Sequence, residues 1–475
     1  MFELHHLTAQ EQWDWLQRGE VSPTELATHY LERIDRLDPR DGTGVGAFVT
    51  VTADVALATA RARERDPSRT APLWGLPFAD KDLNQRAGVA TGFGSRLMAG
   101  FVPTESDELT LALDAAGGVS LGKTTTPEFG LPSYTETLVG PPARNPYALH
   151  LGAGGSSGGA AVAVAAGLLP FAPGSDGGGS VRIPAAATGL VGLKPSRGLI
   201  PSGTGIDKLA GLVVPGPLAR TVADAAMMLD ALVSSGPPPF TLRAPRWDGG
   251  PLLGAAVRGE GRFQVAVCTD SPWDDAYEIT VSGDASAALK VAVDGLDAMG
   301  HGLEELCLEP DATYAGAFRT IWQAGAAGIP AEGEQLDLLE PLTRWLVGRG
   351  RALSARRLAE SLGQLAVFER SIIRQFAHVD AVLMPALALT PRPIGWFDPV
   401  DGERNFAQQV QYTPFTSFAN VTGLPAITLP VHVTDEGLPM GVQLVGRPGG
   451  EHVLLALGAQ LERRLQWQRR HPPMW

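Results

Sequence analysis

Short apolar runs suited to buried strands alternate along this chain with stretches whose apolar residues recur every three or four positions, the pattern of helices packed on a sheet. Residues 8–38 predict two helices. The second is announced by Ser22-Pro23-Thr24-Glu25, where Ser22 caps, Pro23 fits the first turn and Glu25 completes a capping box. Val45–Val51 predicts a strand, Thr52–Arg65 and Asp107–Ala116 predict helices, and Gly118–Gly122 a buried strand running into Lys123. Further on, Thr221–Leu232 and Ala285–Met299 predict helices, Phe263–Cys268 and Leu303–Leu308 strands, and residues 312–376 a helical stretch carrying Trp322, Trp345 and Phe368. Strands at Asp380–Met384, Ala426–Val433 and Gly441–Val445 and a helix at His452–Leu465 close the chain. Alternation of β and α implies the α/β class, with a largely parallel sheet and helices on both faces. The Pro- and Gly-rich segment Ser234–Arg262 predicts surface loop.

Composition narrows the picture. With 44% apolar and 19% charged residues, the 475-residue chain reads as an ordinary packed globular protein. A net charge of −13 repels a phosphate backbone, and no Lys/Arg-rich run is interleaved with aromatics, so no nucleic-acid partner is expected. Cys268 and Cys307 are too few for a disulfide framework and lack zinc-site spacing; no metal or other cofactor and a reducing compartment are expected. The first twenty residues lack a basic region followed by an apolar one, and the longest apolar run, Ala160–Pro173, is broken by Gly167 and Pro170. A cytoplasmic protein without a membrane partner follows as an expectation.

The candidate chemistry gathers in Gly152–Arg197, where two glycine-flanked serine clusters bracket one short Ala/Val-rich helix. Gly154, Gly155, Gly158 and Gly159 surround Ser156 and Ser157, and Gly177, Gly178 and Gly179 lead into Ser180. Such loops let backbone approach a ligand and can aim successive N–H groups at one point, as an oxyanion formed in acyl transfer requires. A serine hydroxyl needs a base. None of the nine histidines lies in a distinctive local pattern, although His150, near the serines in sequence, stays open as a rival. Of 38 basic residues only Lys81, Lys123, Lys194, Lys208 and Lys290 are lysine. A lysine desolvated in an apolar pocket can act as a base, whereas an arginine cannot. If Leu76–Lys81 is extended, alternation turns Lys81 to one face and Asp80 and Asp82 to the other, leaving the amine away from its flanking carboxylates.

The run Gly154-Gly155-Ser156-Ser157-Gly158-Gly159, then Gly174-Ser175-Asp176-Gly177-Gly178-Gly179-Ser180-Val181-Arg182-Ile183-Pro184-Ala185, then Gly192-Leu193-Lys194-Pro195, resembles the signature of the amidase signature family of serine hydrolases. The likeness extends upstream to Gly75–Asp82 and Thr91–Ser95, and downstream to Asn420–Ala426 and Gly437–Gln443. It implies a three-layer α/β/α sandwich around a large mixed, largely parallel sheet, in one domain spanning 1–475. Within it, 1–65 would hold the N-terminal helices and first strand, 66–232 the signature core, 233–311 its continuation, 312–376 a variable helical pocket region and 377–475 the last part of the core. It implies hydrolysis of a small-molecule amide by a Ser-Ser-Lys triad: Ser180 as nucleophile, Ser156 as a bridging serine in a cis peptide linkage, and Lys81 as base. The spacing of 24 residues between the serines selects Ser156 over Ser157. The N–H groups of Gly177, Gly178, Gly179 and Ser180 would receive the oxyanion.

Ser157 is then at most a supporting hydrogen-bonder, and Asp176 and Arg182 are structural, the carboxylate accepting N–H groups of its own turn and the guanidinium tying loops together. Lys123 and Lys194 match family motifs but suit strand ends or turns better than catalysis. Departures are Gly177, where the family often has a small polar or branched residue, and Ala187-Thr188, where a Cys-containing pair is common. Three other readings compete. Gly154–Gly158 also fits the Gly-x-Ser-x-Gly elbow of α/β-hydrolases with Ser156 as nucleophile, and the glycine loops could cradle a nucleotide. The chain could also be a glutaminase subunit of a transfer-RNA amidotransferase, but residues 310–330 do not resemble that type, which favours a free-standing bacterial amidase, with a homodimer left open. Aromatic residues in 312–376 point to an apolar or aryl amide.

Overall fold

Two sheets carry the chain in the computed structural model, which describes residues 3–39, 41–66, 69–200, 209–233, 243–245 and 247–475. The smaller sheet has three strands, β1 (Phe48–Val51), β2 (Pro77–Lys81) and β3 (Val119–Thr124), in the order β1-β3-β2, with β2 and β3 parallel. The larger has eight: β4 (Phe171–Asp176), β5 (Val191–Lys194), β6 (Val214–Ala219), β7 (Gln264–Val267), β8 (Gly302–Glu305), β9 (Ala381–Pro385), β10 (Ala426–Val433) and β11 (Pro439–Gly446). Their order is β8-β7-β9-β11-β10-β5-β6-β4. The edge strand β4 packs beside β2, so the two sheets abut.

The side chains of the larger sheet alternate between two separate apolar cores. Val265, Ala381, Leu383 and Leu444 face one, which includes Leu229, Leu289, Leu296, Leu454 and Leu457 of the helices Val222–Val233, Gly283–Ala298 and Glu451–Leu465. Ala266, Val382, Met384 and Val445 face the other, built from Phe318, Phe368, Ile372 and Phe376 of the helices Tyr314–Ala326 and Ala355–Phe376. Neighbours along one strand thus serve opposite faces, as the period of two dictates, and both faces are covered by helices. Each fully buried Leu, Val or Phe contributes roughly 1.5–3 kcal/mol relative to exposure. The α/β class, the mixed sheet and the layering agree with expectation.

Five of the eight strands run one way and three the other, as follows from the ladders between neighbours. The parallel neighbours expected from β–α alternation occur at β7/β8, β7/β9 and β2/β3; from β9 through β11, β10, β5 and β6 to β4 every ladder is antiparallel. One cause is local: β10 and β11 form a hairpin closed by Thr434–Leu438, with the Gly437 N–H donating to the Thr434 carbonyl.

Most predicted elements fall within a few residues of the observed ones. The capping box is present: Ser22 Oγ accepts the Glu25 N–H and Glu25 accepts that of Ser22. Strands β4, β5 and β6 had no counterpart in the sequence reading. In β4 and β6, Pro173 and Pro217 face each other across the ladder, so neither strand shows the β-branched run that marks one. The predicted loop Ser234–Arg262 contains a helix, Leu252–Arg258, whose first N–H groups are held by the Asp230 carboxylate; residues 234–242 and 246 lie outside the described residues. Among the described residues no helix is long and apolar enough to cross a membrane.

Replacing Ser22 by Ala removes the cap of the helix Pro23–Leu37. It is expected to cost about 0.5–2 kcal/mol in urea unfolding with catalytic rates unchanged.

Candidate active site

Strand β2 is buried along its whole length between β3 and the edge strand β4. Because alternate residues point to opposite faces, Asp80 and Lys81 part company. Asp80 turns to Arg86 Nε at 2.7 Å and Ser120 Oγ at 3.0 Å, while Asp82 receives the Gly92 N–H at 3.0 Å. Lys81 turns the other way, is 0% exposed, and places Nζ 2.8 Å from Ser156 Oγ, 2.9 Å from Ser157 Oγ and 3.0 Å from Ser175 Oγ. Its hydrogen-bond partners are three hydroxyls and no carboxylate. Burial pulls its pKa down to about 7, opposed in part by the Asp176 carboxylate.

The first glycine cluster leads into the helix Gly158–Ala165, all of whose residues are buried. The Gly155–Ser156 peptide is cis, as the family likeness implies. A side chain at Gly155 would meet the Tyr134 backbone at 2.5 Å, and one at Gly159 would overlap the backbone of Thr125 and Ala47, so both positions are closed to anything larger than glycine. Ser157 ties the two clusters: its N–H donates to the Ser180 carbonyl at 3.1 Å, and its Oγ receives the Ser175 N–H at 3.3 Å.

The second cluster is a turn between β4 and the helix Arg182–Thr188. Asp176, fully buried at its start, accepts the N–H groups of Gly179 at 2.8 Å and Val181 at 3.2 Å and a paired contact from Arg182, Nη2 to Oδ1 at 2.8 Å and Nε to Oδ2 at 2.9 Å. Burial alone would raise its pKa; the Arg182 guanidinium, with Lys194 and Asn420, holds it at about 2. Arg182 also donates to the carbonyl of Thr416 at 2.9 Å, to Gln443 Oε1 at 2.5 Å and to Asn420 Oδ1 at 2.7 Å. Thr416 Oγ1 in turn donates to the Gly178 carbonyl at 2.6 Å. Gly179 has φ 130°, and a Cβ there would overlap the Thr416 side chain, so only glycine fits.

This geometry corrects the expected set of oxyanion donors. The Gly179 N–H is taken by Asp176, because a carboxylate at a strand end reaches the N–H three residues on. Among the described residues those of Gly177, Gly178 and Ser180 have no protein acceptor. The structural roles expected of Asp176 and Arg182 match the contacts seen. Ser157 makes more contacts than expected; Ser175, Asn420 and Gln443 were quoted only as parts of motifs, without a role, and Thr416 was not singled out. Strand alternation could have pointed to Ser175, which lies beside Asp176 on β4 and therefore faces oppositely.

Other candidates fall elsewhere. Lys194, although buried and lowered to about 7 by burial and then by Arg182, donates to the Pro195 carbonyl at 2.9 Å. Lys123 is held by the Asn84 carbonyl and Thr91 Oγ1. His150 is exposed on the short ribbon strand Ala148–Gly152. Ser180 and Gly178 open onto a cleft walled by Trp273, Phe318, Trp322 and Phe406 and completed by Leu131, Pro132, Ser133, Ile183, Gln409, Val410, Thr413 and Ser417. Among the described residues it is lined by neither a histidine nor a charged side chain.

With these features in place, comparison with known proteins is decisive for the family. The family model for amidases matches residues 25–455. A putative amidase, AmiB2, of Mycobacterium tuberculosis is 38% identical over 464 residues, covering 96% of both chains. The structure of a 6-aminohexanoate cyclic dimer hydrolase complexed with substrate superposes with a TM-score of 0.89 at 30% identity, covering 99% of each chain. A bacterial aryl acylamidase superposes with a TM-score of 0.84 at 25% identity, covering 98% of this chain and 97% of the other. The chain belongs to the amidase signature family. It is accordingly an amide-hydrolysing enzyme.

Replacing Arg182 by Met leaves the Asp176 charge buried without its partner. The expected cost is about 3–5 kcal/mol in chemical denaturation, accompanied by loss of turnover as the Gly177–Ser180 turn loosens.

Proposed function

We propose that the enzyme cleaves uncharged, aryl- or alkyl-bearing amides through an acyl intermediate on Ser180, with Lys81 as base and Ser156 as the relay between them. The observation that carries this reading is Lys81 itself: a fully buried amine 2.8 Å from Ser156 Oγ, with a pKa brought down to about 7. At neutral pH a large share of it is unprotonated and able to accept.

In the first step Ser180 Oγ attacks the amide carbon as its proton passes to Ser156 Oγ and the Ser156 proton passes to Lys81 Nζ. The carbonyl oxygen takes the negative charge and receives N–H groups of Gly177, Gly178 and Ser180, fixed in advance by the Asp176 and Thr416 contacts that shape the turn. Collapse breaks the carbon–nitrogen bond, and the proton returns from Lys81 through Ser156 to the leaving amine. A water molecule then attacks the acyl-serine by the same path and releases the acid, regenerating Ser180. The elbow reading, with Ser156 as nucleophile, lacks support because no histidine lines the cleft to serve it. The cytoplasmic assignment is supported by two free thiols, Cys268 buried and Cys307 exposed.

The cleft supports the substrate class. Four aromatic walls, with no charged group among the described lining residues, favour a neutral, planar or apolar portion of substrate, a reading that fits the likeness to an aryl acylamidase. Gly177 takes part in this shape. A Cβ at 177 would press on Val213 Cγ2 at 3.1 Å and meet the Trp322 ring at an ordinary contact distance of 3.5 Å, so the departure from the family pattern relieves a tight contact with Val213 beside the oxyanion turn. The segment that differs from glutaminase subunits is the same helix, Tyr314–Ala326, that brings Phe318 and Trp322 to the cleft.

Two tests follow. Ser180→Ala should lower kcat by at least about 10⁴-fold while the fold persists. In the parent enzyme, mass mapping should find a fluorophosphonate probe on Ser180. Lys81→Arg should be nearly as damaging as Lys81→Ala, and activity should rise as pH increases through about 7, the limb on which Lys81 loses its proton; labelling at Ser156 or a flat profile there would refute the relay. For the pocket, Trp322→Ala should lower kcat/KM for anilides by about tenfold or more and leave acetamide little changed, and equal losses on both would refute the aryl wall.

A further inference from the structure

Away from the cleft, the amino-terminal turn Leu4–His6 packs on the helix Pro23–Leu37 and brings three metal-ligating groups together. His5 Nδ1 lies 3.1 Å from His29 Nε2 and 3.3 Å from Glu3 Oε2, and the three atoms lie within 4.8 Å of one another. Zinc bonds of about 2.0–2.1 Å in tetrahedral geometry place neighbouring ligand atoms about 3.3 Å apart, the spacing found on both edges that meet at His5. A hydrogen bond between the imidazoles accounts for one of these spacings only. One proton on Nδ1 cannot serve His29 and Glu3 together at full strength, whereas one cation answers all three lone pairs.

We infer that Glu3, His5 and His29 form a binding site for one divalent transition-metal ion, zinc by its ligand chemistry. Two imidazoles and a carboxylate make a borderline-soft set of the kind zinc takes, with the half-exposed Glu3 side open to a water as fourth ligand. Arg33 pairs with the same Glu3 oxygen only at long range, through Nη1. It stands 3.8 Å away, its Nε and Nη2 donating to the carbonyls of Gly167 at 2.8 Å and Ala166 at 3.1 Å. Its charge and the unpartnered His5 Nε2 set the affinity at a moderate level. None of the three residues lines the cleft, so the ion pins the amino-terminal turn to its helix, beside Trp475, whose ring lies 5.2 Å from that of His5. Cysteine spacing, the signal on which the sequence reading expected no metal, has no bearing on such a site.

The test is calorimetric titration of zinc chloride into the tag-free, full-length enzyme after chelator treatment. One zinc per chain should bind with a micromolar dissociation constant and raise Tm. His29→Ala and Glu3→Gln should each weaken binding about tenfold or more and leave amide turnover unchanged. Absence of saturable binding below millimolar zinc, or unchanged binding in both variants, would overturn the site.

Discussion

The structure depends on one electrostatic constraint, an amine buried without a carboxylate to pair it. An ammonium taken from water into the interior costs several kcal/mol even after relaxation, and burial accordingly draws the Lys81 pKa down to about 7. Three hydroxyls suffice for a neutral amine. The nearby Asp176 would restore the charge were it not already engaged on both oxygens by Arg182 and on one by Asn420. Two buried titratable groups a few residues' width apart are thereby driven in opposite senses, one to a charged form and the other to an uncharged one. Their separation rests on Arg182, which occupies the carboxylate and leaves the amine alone.

The same guanidinium organises the turn that carries Ser180. The Asp176 carboxylate fixes Gly179 and Val181, the Thr416 hydroxyl fixes Gly178, and the N–H groups of Gly177, Gly178 and Ser180 are left without an acceptor among the described residues. Precision of this kind comes from the scaffold behind a site, since glycine-rich backbone has no conformational preference of its own to hold it. Strand β2, buried throughout, and β4, buried except at Ser175, supply the floor, and the helix Tyr314–Ala326 supplies an aromatic wall.

Much of this was legible in the sequence, because it is written in local pattern. The capping box at Ser22, the amphipathic helices and the strands β10 and β11 follow from spacing alone, and the scarcity of lysine together with strand alternation made Lys81 a candidate that the family motif then selected. The serines were placed by the family motif. What escaped is what depends on partners distant in sequence. Strands β4 and β6 carry facing prolines, so only their pairing reveals them. Gly179 looked like its neighbours until the Asp176 oxygen claimed its N–H. Asn420 and Gln443 acquire meaning only through Arg182, more than 230 positions earlier. The antiparallel ladders through the centre likewise arise from which strands become neighbours, a fact no window of residues contains.

That long reach has a consequence for how the enzyme comes into being. The nascent chain exposes Ser180 and its glycines long before Thr416, Asn420 and Gln443 have left the ribosome, and until they arrive Arg182 lacks three of its acceptors. A chain terminated before Gln443 therefore lacks part of the contact set that holds the turn carrying Ser180.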